Sequence, residues 1–263
     1  MNVVKFPGFN LILNVPQFAF EIAGIKIYNY AICIVLGIIV ALMLCRLNKT
    51  KYEIEFDEVL EYMIYALIMG IIGARIYYIL FNLEYYKNNV SQILNFRDGG
   101  LAIYGGLILG ALTLLVSLKI KKKDILDFFD RIVPFVPIAQ AIGRWGNFFN
   151  VEAYGYETNN LLRMGIEKNG VYTEVHPMFL YESIMNFIIF FILIKMQKNR
   201  KYKGQILLYY LAFYSLIRGI LETFRIDSLM LGSFRVSQLV SIIIFVIVSI
   251  IIIIKTKKIK EKE

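Results

Sequence analysis

The sequence is short of the residues from which many soluble enzymes build their sites. Two cysteines occur in 263 residues, Cys33 and Cys45, both inside one apolar stretch. That excludes a disulfide framework and a Cys-x-x-Cys metal motif, and leaves both as packing residues. The single histidine, His176, cannot assemble a metal centre, and an isolated imidazole more often serves as a hydrogen-bonding residue at the start of a helix. No metal centre is therefore expected. The first seventeen residues lack a long uninterrupted apolar segment and a small-residue cleavage site, so no removable leader is expected. The glycine-rich segment 99–110, GGLAIYGGLILG, opens a long apolar stretch instead of following a strand, which excludes a soluble dinucleotide fingerprint. Nor do two halves of the chain carry matching broken apolar segments, which argues against an inverted-repeat transporter.

What the sequence has in excess is apolar surface. Hydrophobic residues make up 58% and aromatic residues 15% of the chain, with mean hydropathy +0.62. Runs such as 27–45 and 236–254 match the ~20 residues that cross a hydrocarbon core as a helix. Marking apolar stretches between charged connections gives spans near 27–45, 59–81, 101–118, 125–142, 178–194, 205–224 and 236–254. The expected fold is an all-α polytopic membrane protein of about seven transmembrane helices, a single transmembrane domain over 1–263.

The formal net charge of +9 would raise the question of nucleic acid in a soluble protein, but its distribution gives a simpler answer. Basic residues cluster after alternate spans: Arg46, Lys49 and Lys51; Lys119 and Lys121 to Lys123; Lys195, Lys198, Arg200, Lys201 and Lys203; and the tail 255–263 with Lys255, Lys257, Lys258, Lys260 and Lys262. By the positive-inside rule these connections face the cytoplasm, which puts the N-terminus outside and the C-terminus inside. The opposite side then carries the longest polar connection, about 143–177, and the shorter 82–100. Loops that long usually serve a function.

Ionisable residues inside spans are the next signal, because a charge at mid-membrane costs at least ~2.5–3.5 kcal/mol unless paired or wetted. Arg75, Arg131, Arg144, Arg218, Glu222 and Arg225 qualify. With alternating spans, Arg75, Arg144, Arg218 and Arg225 fall in the outer half or at the outer end, and Arg131 lies deeper and on the cytoplasmic side. Tyr214, Arg218, Glu222 and Arg225 are spaced by four, four and three residues, so they share one helical face. Glu222 could merely neutralise its neighbours. Several planar guanidinium groups at one level would also suit a lipid phosphate, which they can hold bidentately. The paired glycines of 99–110 allow either close helix packing or an exposed backbone beside a ligand.

The run GRWGNFFNVEAYG (143–155) resembles the signature of the prolipoprotein diacylglyceryl transferase family, and the similarity extends through Tyr28, GARIYYILF (73–81), GGLAIYGG (99–106), Asp130, HPMFLYE (176–182) and Arg218 to Arg225. The resemblance implies transfer of an sn-1,2-diacylglyceryl group from phosphatidylglycerol to the lipobox cysteine of a prolipoprotein signal peptide, releasing glycerol phosphate. It implies a catalytic, multi-pass protein of the bacterial cytoplasmic (inner) membrane, with its site toward the outer leaflet and no external cofactor; the charge distribution already left no role for nucleic acid. It places Arg144, Arg218, Tyr104 and Tyr28 in the catalytic group. Arg144 is also placed on the substrate, together with Asn147, Glu152, Gly155, Tyr214, Glu222, Arg225, Arg75, Asp130 and His176. Tyr104 stands where many members carry a histidine, and a tyrosine of pKa near ~10 is a poor base at neutral pH; hydrogen bonding to a phosphate is the alternative role. Asn29 follows Tyr28 where many members have glycine.

Overall fold

A computed structural model describes residues 2–22, 24–95, 99–168 and 170–261; Lys262 and Glu263 of the basic tail lie outside the described residues. Helix dominates because the long apolar stretches can satisfy their backbone groups in lipid only within themselves. Six described helices are long and apolar enough to cross a membrane: α1 (Asn29–Leu47), α2 (Phe56–Leu80), α4 (Ile103–Ile120), α7 (Met178–Met196, extended by a 3-10 turn to Asn199), α8 (Gln205–Leu221, extended to Phe224) and α9 (Val236–Lys260). This is a polytopic membrane protein.

The expected continuous span at 125–142 is corrected. It is divided into α5 (Ile125–Ile132), a 3-10 turn at Val133–Phe135 and α6 (Val136–Asn150). Pro134 and Pro137 explain the break: each lacks an N–H for the helical ladder and crowds the preceding turn. The first eight residues of the expected outer segment, 143–150, belong to α6.

The chain forms two compact units, Lys51–Arg131 and the remainder, Met1–Thr50 with Ile132–Glu263. In the smaller unit, α2 and α4 meet along a seam of small residues. A Cβ on Gly73 would stand 2.6 Å from the Gly105 carbonyl oxygen, and one on Gly110 would stand 3.0 Å from that of Ala66. Between lipid-facing helices, such backbone approach replaces the hydrophobic drive that water would supply. Packing is thus what Gly105, Gly106 and Gly110 do. The short α3 (Leu83–Asn88) and the turn Val90–Leu94 complete this unit's connection between α2 and α4.

The larger unit has two different ends. At one end the α1 and α7 termini are tied by Asn48 Nδ2 donating to Gln197 Oε1 at 3.0 Å, and Lys255 lies over the Tyr202 ring at 4.9 Å. The basic connections of this unit gather there. The other end carries strands that an all-α expectation leaves out. β1 (Asn2–Phe6) pairs with β2 (Leu11–Val15) and with β5 (Met164–Lys168), and β5 pairs with β6 (Val171–Val175), all antiparallel, in the order β2-β1-β5-β6. Val4, Val15, Met164, Ile166 and Val175 pack on Phe148 of α6 and Phe179 of α7 in one buried cluster. The sheet therefore braces the ends of those two helices. β3 (Phe18–Ile22) and β4 (Ile25–Tyr28) form a separate hairpin leading into α1, and β7 (Met230–Leu231) with β8 (Phe234–Arg235) leads into α9.

Candidate active site

α6 delivers Arg144 and Asn147 because the row beside them is glycine. A Cβ on Gly146 would come within 2.7 Å of the Tyr30 ring, so α6 lies close on α1 and its polar row is turned elsewhere. α7 is locked to α6 by Ser183 Oγ, which donates to the Ala141 carbonyl at 2.9 Å. Its neighbour Glu182 is buried, 4% exposed. Such a carboxylate needs partners, and it has three. Arg144 Nη2 lies 2.5 Å from Oε2, while Arg218 Nη1 at 3.2 Å and Arg225 Nη1 at 3.1 Å donate to Oε1. Guanidinium groups from α6, α8 and the segment after α8 therefore meet on one side chain of α7.

Around this hub each arginine has a further partner. Arg218 Nη2 stands 2.6 Å from Glu222 Oε2 one turn along, an ionic contact whose angles do not make an aligned hydrogen bond. Glu222 is itself 1% exposed, and its carbonyl accepts from Arg235, which also donates to the Tyr156 hydroxyl at 3.0 Å. Arg225 makes a two-point pair with Asp227, at 3.0 and 2.8 Å. Burial works against the Arg225 charge, but the hydrogen bonds it donates to Asp227 and the charges of Glu182, Asp227 and Glu222 outweigh it and raise its pKa further. For Asp227 burial pushes upward, and the Arg225 hydrogen bond and charge more than offset it, so its carboxyl sits below the usual range. Arg144 Nη1 approaches Asn147 Oδ1 at 3.4 Å, and Asn147 Nδ2 donates to Glu152 Oε1 at 2.9 Å.

The turn that presents Glu152 is strained. Val151 and Ala153 on either side have φ of 51° and 53°, a left-handed conformation costly for a β-branched valine. Backbone bonds from Val151 to the Phe148 carbonyl and from Glu152 to that of Asn147 hold it there, at 3.1 Å each.

Gly155 acts through its backbone. Its N–H donates to the His176 carbonyl at 3.0 Å, Tyr156 N–H donates to the Phe224 carbonyl at 2.9 Å, and Gly155 bridges to Arg225 as in an antiparallel ladder. A Cβ there would stand 2.6 Å from the Phe224 oxygen and 2.8 Å from the His176 Cβ. Only glycine lets the signature segment lie this close to the extended segment that carries Arg225. His176 Nδ1 lies 3.2 Å from both the Tyr181 hydroxyl and Asn160 Nδ2. Burial lowers its pKa, which keeps the ring neutral at pH 7.

Of the residues marked in the sequence, Arg144, Asn147, Glu152, Arg218, Glu222 and Arg225 form this connected network, with Gly155 and His176 packed against the segment Phe224–Arg225. Tyr214 sits one turn before Arg218, its ring 5.7 Å from that of Tyr210. Tyr28 caps α1 and is half exposed. Three marked residues belong to the smaller unit. Arg75 is 5% exposed and donates to the carbonyls of Gln92, Ile93, Gly99 and Gly100. Asp130 is fully buried on α5, and Tyr104 is 65% exposed at the start of α4. Arg131, also flagged, donates to the Ile54 carbonyl.

Glu182, Asp227 and Arg235 were missed. Glu182 had a signal: it is an ionisable residue within an apolar span, the same criterion that selected Glu222. Asp227 follows the last turn of α8 and Arg235 immediately precedes α9, so both lie outside the apolar spans and show no such anomaly in sequence.

Known proteins bear on this arrangement. The family model for prolipoprotein diacylglyceryl transferase matches residues 17–254. A phosphatidylglycerol–prolipoprotein diacylglyceryl transferase of Clostridioides difficile (strain 630) is 47% identical over 225 residues, covering 86% of this chain and 89% of that protein. Proteins of the same name from Clostridium novyi (strain NT) and Finegoldia magna are 45% and 44% identical, covering 90% and 91% of this chain and 95% of each relative. The chain belongs to the prolipoprotein diacylglyceryl transferase family.

Proposed function

We propose that this chain transfers the sn-1,2-diacylglyceryl group of phosphatidylglycerol to the lipobox cysteine thiol of a prolipoprotein, the first step of lipoprotein maturation, releasing glycerol phosphate. The observation that carries the site assignment is the convergence of Arg144, Arg218 and Arg225 on Glu182. Membership of the family supports the reaction. The basic end of the larger unit supports placing the opposite end, with the arginines, toward the outer leaflet of the bacterial cytoplasmic membrane.

In this reading the cysteine attacks as thiolate the glyceryl carbon that bears the phosphate. A sulfur–carbon bond forms, the carbon–oxygen bond breaks, and the thiol proton is released. The phosphodiester leaves with the bonding electron pair, so its single negative charge becomes two. Donors fixed where that charge develops lower the barrier, and Arg144 and Arg218 take this role. A positive field also raises the thiolate fraction of a cysteine whose unperturbed pKa is near ~8.5. Arg225 and Asn147 contribute to holding the head group, with Glu222 and Glu152 orienting Arg218 and Asn147. Tyr104 and Tyr28 enter as hydroxyl donors, each tested by a phenylalanine replacement that removes only the hydroxyl.

The test uses purified full-length protein, phosphatidylglycerol and a peptide containing a lipobox cysteine. Mass spectrometry is expected to show one diacylglyceryl group added per peptide. A peptide of unchanged mass after incubation with folded enzyme would overturn the proposal.

A further inference from the structure

We infer that Glu182 is a positioning residue for this transfer: it gathers the three guanidinium groups as their internal counter-ion and gives way to the lipid phosphate. The inference rests on the reaction proposed above. Three cations, Arg144, Arg218 and Arg225, face three anions, Glu182, Glu222 and Asp227. A compensated cluster attracts an arriving phosphate weakly unless one carboxylate surrenders its contacts. The three carboxylates differ in this respect. Glu222 serves the arginine one turn before it on the same helix, and Asp227 serves the arginine two residues before it. Glu182 spans all three arginines, with one oxygen on Arg144 and the other shared by Arg218 and Arg225. Exchanging its contacts for phosphate oxygens would redirect all three guanidinium groups at once.

Its position fits the task. The Ser183 bond to α6 and the Asn186 side chain, which donates to the Glu182 carbonyl at 2.8 Å, fix the local backbone. The side chains it holds remain partly open, with Arg144 24% and Arg218 19% exposed. In the ground state Glu182 competes with the singly charged diester for these donors. It competes less well with the doubly charged leaving group, so contacts to the phosphate strengthen along the reaction. Glu182 thus weakens lipid binding while keeping the guanidinium groups placed for the transition state.

Glu182→Gln preserves the side chain's shape and removes its charge, so a split between binding and turnover is the expected result. KM for phosphatidylglycerol should fall by about threefold to tenfold as the cluster becomes net positive, an electrostatic gain. kcat should fall by about 10- to 100-fold because the guanidinium groups lose their common anchor. Glu182→Asp keeps the charge but shortens the reach; it should lower kcat without lowering KM. A merely structural role would scale the active fraction and leave KM unchanged. Wild-type kinetics in Glu182→Gln, or a raised KM in folded protein, would overturn the inference. If Glu182→Gln yields no folded protein, Glu182→Asp decides, and a wild-type kcat there overturns it. Inactive wild-type protein would instead sink the underlying reaction, which keeps the two failures distinct.

Discussion

Two groups of arginines that look alike in sequence have different surroundings in this molecule. Arg144, Arg218 and Arg225 of the larger unit share carboxylates and stay partly open. Arg75 and Arg131 of the smaller unit reach backbone carbonyls, Arg75 holding the connection after α2 at four points and Arg131 reaching Ile54. Arg75 also lies 5.4 Å from the centre of the Tyr86 ring. A carboxylate partner can be exchanged for another anion, whereas a carbonyl partner is part of the fold.

The sharpest way to break that distinction is Arg144→Ala. Diacylglyceryl transfer per folded molecule should fall by roughly 10²–10³, the scale of losing a donor aimed at developing charge, with a small change in the unfolding midpoint. Turnover equal to wild type in the peptide mass assay would remove Arg144 from the chemistry. Arg75→Ala should show the reverse pattern. Carbonyls left without their donor cost stability on the order of 3 kcal/mol in total, visible as a lower unfolding temperature in detergent. A full-sized stability with abolished turnover would place Arg75 in the binding class instead.

Gly155→Ala sharpens the comparison within the larger unit, since it touches no charge. The added methyl meets the Phe224 carbonyl and the His176 Cβ, so the segment carrying Arg225 must shift. Turnover should drop about tenfold with Arg225 misplaced, because small displacements at a reacting centre are costly. Unaltered kinetics would show that this contact does not position the site. The smallest effect belongs to Asp227→Asn. The folded carboxyl has a depressed pKa, so its stabilisation is present above its unfolded pKa near ~3.9 and fades as pH falls through the lower folded value. Because Asp227 is well exposed, the loss at pH 7 should be on the order of 0.5 kcal/mol. Wild type and variant should converge in acid; a constant gap across pH would contradict the charge argument.

Much of the site was legible because buried charge in a bilayer is so costly that each instance stands out. The i, i+4 spacing of Tyr214, Arg218 and Glu222 gave one face of α8 directly, and the signature run gave Arg144 and Asn147. Glu182 lies one turn into α7, near the end of an apolar span, where a carboxylate is less anomalous than at its middle. The six clear spans followed from hydropathy, but the fourth apolar stretch needed more weight on Pro134 and Pro137. The sheet could not be read locally. β1 pairs with β5, Val4 opposite Ile166, across about 160 residues, and no short pattern in either segment names its partner. The roles of Gly105 and Gly155 were equally hidden, since each depends on a backbone brought close by another part of the chain.

The central claim is that three guanidinium groups are held by Glu182 to receive the phosphate of an anionic lipid. A structure of the protein with bound phosphatidylglycerol tests it most directly, by locating the phosphorus. The account predicts phosphate oxygens within hydrogen-bonding distance of both Arg144 and Arg218, with Glu182 contacts lengthened relative to those seen here. A head group held elsewhere, with all three arginines still closed on Glu182, would contradict it.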